Sequence, residues 1–162
     1  MAAKGLARPY GYDKKEENEM EPIKIVVRYA DGKVMKGFTQ DFFPNKDRFH
    51  LIPADKPLGR TIEVTVKQLK AVFVVRDFFG NPNYIERKRY IEGEKPFGVK
   101  VEVMFADGEV MVGSTLSYNL KHQGFFLSPA DPKSNNIRVF VVSSAVKKVR
   151  QLYGYLEDDR AA

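Results

Sequence analysis

The chain has 162 residues, 43% hydrophobic and 30% charged, a composition that can fill a core and excludes a wholly disordered protein. Its net charge of +6 suits anionic partners of many kinds without selecting one. The absence of cysteine excludes a disulfide scaffold and a thiolate metal centre, and no apolar run approaches the roughly 20 residues of a membrane-spanning helix.

Residues 1–21 carry no apolar signal-peptide core and read as a flexible N-terminal segment of a cytoplasmic protein. A first unit then spans residues 22–77. Ile23, Ile25, Val27 and Tyr29 alternate with Lys24, Val26 and Arg28, the period of a strand with one face inward. The Asp31-Gly32 pair that follows is a hairpin signal, because glycine accepts positive φ. A second strand runs from Val34 to Phe42, and Gly37 inside it permits a bend or a close backbone approach. Arg48 to Ile52 gives a third strand, ended by Pro53-Ala54-Asp55, and Thr61 to Val66 a fourth. Lys67-Gln68-Leu69 leaves room for one tight turn of 3₁₀ type before a fifth strand, Lys70 to Arg76.

Residues 78–98 break the pattern with Gly, Pro and Asn, and form a linker or crossover. Its aromatics Phe78, Phe79, Tyr84 and Tyr90 are too many for a solvated tether, so part of it packs on a neighbouring unit. A second unit, residues 99–153, repeats the first, at a constant offset of 76 positions from Ile23 to Asp55 and with one residue added in the Pro132 to Asn136 loop thereafter, Asp31 falling on Asp107. Gly32 falls on Gly108, Gly37 on Gly113, and Pro53-Ala54-Asp55 on Pro129-Ala130-Asp131. Gly, Pro and Asp kept in register mark shared backbone geometry, so this is an internal duplication. Its third to fifth strands are Gly124 to Ser128, Arg138 to Val142 and Val146 to Leu152, and residues 154–162 form a C-terminal tail.

Five short strands per unit with almost no helix predict an all-β chain of two tandem five-stranded, partly closed barrels. The order strand, Asp-Gly hairpin, glycine-bearing strand, third strand, then two strands around one tight turn resembles the Sm-like fold and the related SH3-like barrels. Val99 to Tyr118 resembles the first Sm motif, and Arg138 to Val149 the closing strands of bacterial Sm-like RNA chaperones. The resemblance implies RNA binding and ring-forming homo-oligomers. The loops that read RNA in those proteins are Phe43 to Asp47 and Asn119 to Gln123 here, and the later turns are Lys67-Gln68 and Ser143-Ser144; both depart from the family's readout residues. The Gly-Phe-Phe-Leu and Pro-Ala-Asp motifs also resemble an uncharacterised bacterial family found near PilZ-type regulators, although the PilZ signature itself is absent.

No catalytic, metal or cofactor site is expected. The two histidines, His50 on a strand and His122 in a polar loop, lie in different units, and neither has recognisable ligand spacing. Asp31, Gly32, Gly37, Asp107, Gly108 and Gly113 are explained by turn and bend geometry, as are Asp55 and Asp131. The remaining function is binding. A protein-interaction adaptor would use the aromatics Phe42, Phe43, Phe78, Phe79, Tyr84, Tyr90 and Tyr153. The alternative, a nucleic-acid-binding protein, would use Arg87, Lys88, Arg89, Lys121, Lys147, Lys148 and Arg150, with basic groups holding phosphates and neighbouring aromatics stacking bases. A protein partner ranks first, because the readout residues of the Sm-like proteins are missing.

Overall fold

The computed structural model describes residues 21–56 and 58–153, so the expected N-terminal segment and C-terminal tail lie outside the described residues, apart from Glu21. In chain order the strands are β1 (Ile23–Tyr29), β2 (Val34–Thr39), β3 (Arg48–Pro53), β4 (Ile62–Thr65), β5 (Leu69–Val75), β6 (Val99–Phe105), β7 (Val110–Thr115), β8 (Gly124–Pro129), β9 (Asn136–Val142) and β10 (Val146–Gln151). Single 3₁₀ turns at Val66–Gln68 and Ser143–Ala145 join β4 to β5 and β9 to β10. Among the described residues no helix is long and apolar enough to cross a membrane.

Among the described residues the chain is all-β, and ten strands form one antiparallel sheet in the order β10-β6-β7-β8-β9-β5-β1-β2-β3-β4. The two five-stranded units expected as partly closed barrels share this one sheet, which is not closed. The strands of each unit are ordered alike, β5-β1-β2-β3-β4 and β10-β6-β7-β8-β9, but β5 pairs with β9 and joins them into a single open sheet. The reason is visible in Leu69 to Val75, which is buried on both faces. Leu69, Val72 and Val74 enter a first core cluster with Ile25, Val27, Phe49 and Leu51. Ala71, Phe73 and Val75 enter a second cluster with Val101, Val103, Phe105 and Leu127. β9 divides its side chains in the same way, Phe140 and Val142 to the first cluster, Val139 and Val141 to the second. A strand buried on both sides reads as a continuous apolar run, which is the pattern of Ala71 to Val75. Burying each such Val, Leu or Phe contributes about 1.5–3 kcal/mol, so the seam is a major stabilising element.

The Asp-Gly turns close both tight hairpins. Gly32 and Gly108 adopt φ of 98° and 94°, and Asp31 and Asp107 each accept the backbone N–H two residues on. Gly37 and Gly113 answer to close approach: a Cβ at either would stand 2.2 Å from the carbonyl oxygen of Ile52 or Ser128. β2 ends at Thr39, short of the expected Phe42, because the chain turns at Asp41. The Asp41 carboxylate accepts the His50 backbone N–H at 2.8 Å and pairs with its ring Nδ1 at 2.6 Å, and Phe42 drops into the first cluster.

Candidate functional site

The seam leaves a groove between the two units. Its floor is Phe73, Val75 and Val139, where β5 and β9 show their second-cluster face. One wall is the outer face of β1 and β2, where cross-strand pairing sets Val26 against Lys36 and Arg28 against Val34. The opposite wall is Glu109 to Val112 at the start of β7, and Phe78, Glu86 and Lys88 of the linker close one end. The volume is about 340 Å³, enough for a few side chains.

The charges in the groove are unequal in their bonding. Glu109 is engaged by Lys70, whose ammonium is buried, lies 2.6 Å from Asp107 and sits over the Phe105 ring at 4.7 Å. Glu86 accepts a hydrogen bond from the Ser134 hydroxyl at 2.6 Å. Arg28, Lys36 and Lys88 form no ion pair among the described residues. Arg28 lies over the Phe73 ring at 5.7 Å, and Lys36 donates to the Phe78 carbonyl at 2.8 Å while facing the Phe79 ring at 5.9 Å. The groove is thus apolar below and cationic at its rim.

The linker that closes it is ordered by the second unit, as its aromatics predict. Asp131, almost wholly buried, accepts hydrogen bonds from the Tyr84 hydroxyl and from the backbone N–H groups of Arg87 and Lys133. Burial pushes its carboxyl up more than any one donor pulls it down, but the three donors together with the Arg87 charge hold it below the usual range. Arg87 makes a two-pronged pair with Glu94 at 2.6 and 3.0 Å. That pair, with the Ile91 N–H, holds the Glu94 carboxyl at about 2. Asn135 exchanges hydrogen bonds with the backbone of Asp77.

Residues 19–153, spanning both units and the linker, match a family of unknown function, DUF6982. The chain belongs to that family. No curated protein and no solved structure matches it.

The residues singled out in the DUF6982 sequence divide into three groups. Phe42 and Tyr90 are corrected from contact aromatics to packing residues: Phe42 is 8% exposed and meets Phe49, Phe126 and Phe140 edge-on, and Tyr90 is buried beneath the Lys100 ammonium. Burial also raises the Tyr90 hydroxyl above its ordinary pKa, against a lowering by the nearby Ser114. Arg87 is likewise corrected, since Glu94 and the Arg89 carbonyl occupy its guanidinium. Phe78 is half-buried against Phe38, Phe43 half-buried under the Lys46 ammonium, and Tyr84 is tied to Asp131. Phe79, 89% exposed, and Tyr153, 71% exposed, remain open to solvent.

Of the basic residues, Lys88 and Arg89 are exposed on the linker, Lys121 on the β7–β8 loop, and Lys147 and Lys148 on β10, while Arg150 pairs with Glu102 at 3.2 Å. They form no single stripe; only Lys88 reaches the groove. The groove cations Arg28 and Lys36 were missed by sequence reasoning. They are the outward residues of β1 and β2, and only the β5–β9 pairing shows that this face is a wall. His50 lies on β3 and His122 in the loop between β7 and β8, and His50 is raised above its usual pKa by the Asp41 hydrogen bond. Among the described residues no group of three or more His, Asp or Glu is placed to hold a metal ion.

Proposed function

We propose that this DUF6982 protein is a non-catalytic, cytoplasmic adaptor in a bacterial regulatory assembly. It docks an acidic segment of a protein partner, anchored by apolar side chains, in the groove between its two units. We further read those units as Sm-like or SH3-like barrels, related by duplication and opened to share one sheet. The observation that carries the docking reading is the pairing state of the groove: an apolar floor rimmed by Arg28, Lys36 and Lys88, while both carboxylates in it are engaged. Unpaired cations beside an apolar surface favour a ligand that brings carboxylates and buries aliphatic or aromatic groups.

The test is selection of a random-peptide display library on the wild type and on the Lys36→Glu/Lys88→Glu variant. Peptides rich in Asp and Glu around Leu or Phe, binding the wild type at least tenfold more tightly than the variant, support the proposal. Peptides without acidic bias, or equal binding to both proteins, overturn it. Fluorescence anisotropy with labelled single-stranded RNA and duplex DNA decides the competing reading: saturable binding that survives physiological salt places nucleic acid ahead of a protein partner.

A further inference from the structure

Among the described residues the sheet contains one seam between units and two edges without a paired neighbour, β4 and β10, that correspond to the strands of that seam. Superposing the turns Val66–Gln68 and Ser143–Ala145 sets β5 on β10 and β4 on β9. Both fifth strands carry the same bulge, between Leu69 and Ala71 opposite Arg28 and Tyr29 in β5 and between Val146 and Lys148 in β10, so the correspondence extends to backbone detail.

At the seam each strand gives one row of side chains to the other unit's core: Ala71 and Phe73 from β5, Phe140 and Val142 from β9. At the free edges those four positions are occupied by Lys148 and Arg150 on β10 and by Glu63 and Thr65 on β4. Two own-core positions stay apolar, Val149 matching Val72 and Val64 matching Val141, while Gln151 stands where β5 has Val74. The rows that a second copy would have to bury thus carry three charges and Thr65 where the seam is apolar, although Leu152 keeps the apolar character of Val75.

Repeating the seam between chains, in the register Ala71↔Val141 and Phe73↔Val139, would bring Lys148 against Val64 and Arg150 against Ile62. Glu63 would point to the other face of the strand, and Glu102, on the same face as Lys148, is already held by Arg150. An ammonium buried without a carboxylate opposes such pairing. β4 is also short, four residues against seven in β9, and Glu63 is held by Arg48 at 3.3 Å. Short strands and charges placed on the inward rows are the means by which sheet edges are kept from pairing.

We infer that β4 and β10 are terminating edges: the unit-to-unit pairing is used once, inside the chain, and a second copy cannot extend it into a fibre or ring. The test restores the apolar rows one edge at a time, in Lys148→Ala/Arg150→Phe and in Glu63→Phe/Thr65→Val. By sedimentation velocity at micromolar concentration the wild type and each variant alone are expected at the monomer mass of 18.5 kDa. A mixture of the two variants is expected to form a 1:1 complex of twice that mass, because only then do two apolar rows meet in complementary register. A mixture that stays monomeric while both variants melt cooperatively overturns the inference. Hydrogen exchange on the wild type tests it independently of the variants' folding: outer-edge amides of β4 and β10 should exchange at a rate independent of protein concentration. Protection there that grows with concentration overturns the inference.

Discussion

The Lys70 ammonium lies 2.6 Å from the Asp107 carboxylate, a contact between the fifth strand of the first unit and the hairpin turn of the second. The lysine side chain is 8% exposed, whereas that of Asp107 is 54% exposed. The burial cost of this ion pair therefore falls almost entirely on the cation, and the carboxylates of Asp107 and Glu109 exist to offset it.

That asymmetry predicts unequal mutational costs. Lys70→Met leaves two carboxylates that water can solvate, and the change in stability should stay within about 1 kcal/mol. Asp107→Asn/Glu109→Gln leaves a buried ammonium without an anion. Its cost should be on the order of 2–3 kcal/mol, below the roughly 3–5 of fully broken buried pairs because the amide oxygens still accept hydrogen bonds. Urea unfolding midpoints of the two variants decide the matter; equal costs would refute the assignment.

Glu94 sets a pH dependence. Its carboxyl is held at about 2, chiefly by the Arg87 hydrogen bonds and then by the Ile91 N–H, against an ordinary value of 4.5. A depressed carboxylate contributes stability that is fully present above its unfolded value and is lost as pH falls through the folded one. The stability difference between wild type and Glu94→Gln should be constant above about pH 5 and shrink steadily towards pH 2. Chemical denaturation across that range measures it.

Two kinds of glycine should respond differently to alanine. At Gly37 and Gly113 the new methyl would meet a backbone carbonyl at 2.2 Å, and since neither strand can withdraw without losing its ladder, each substitution should cost at least about 1–3 kcal/mol. At Gly32 a Cβ meets nothing, and the cost is that of positive φ, about 1 kcal/mol. Thermal melts of the three variants should show this order.

The aromatics separate as sharply. Phe42→Ala removes a ring that three others contact and should cost about 3–5 kcal/mol. Phe79→Ala removes an exposed ring and should stay within about 0.5 kcal/mol. Unfolding free energies check both.

Much of the strand plan was legible because local patterns specify it. The alternation of Ile25 and Val27, the Asp-Gly turns and the two short 3₁₀ turns are properties of a few adjacent residues. The seam was not legible as such. Ala71 to Val75 is an apolar run of strand length, but the strand that pairs with its open edge begins at Asn136, and no local pattern names a partner so distant. The groove inherits that difficulty, since Arg28 and Lys36 look like ordinary solvent-facing residues until β9 is in place. Phe42 was misjudged because the alternation from Val34 was carried through it as strand, whereas the Asp41–His50 hydrogen bonds turn the chain there and take the ring into the first cluster.

The double burial of β5 also bears on synthesis at the ribosome. When Val75 has emerged, the first unit still lacks Phe140 and Val142, and β5 shows water an unpaired backbone edge and a row of Ala71, Phe73 and Val75. At about 5–20 residues per second, this surface stays uncovered for several seconds. Nascent chains of this protein thus pass through a sticky stage that the finished molecule never displays, a window in which chaperones compete with neighbouring nascent chains.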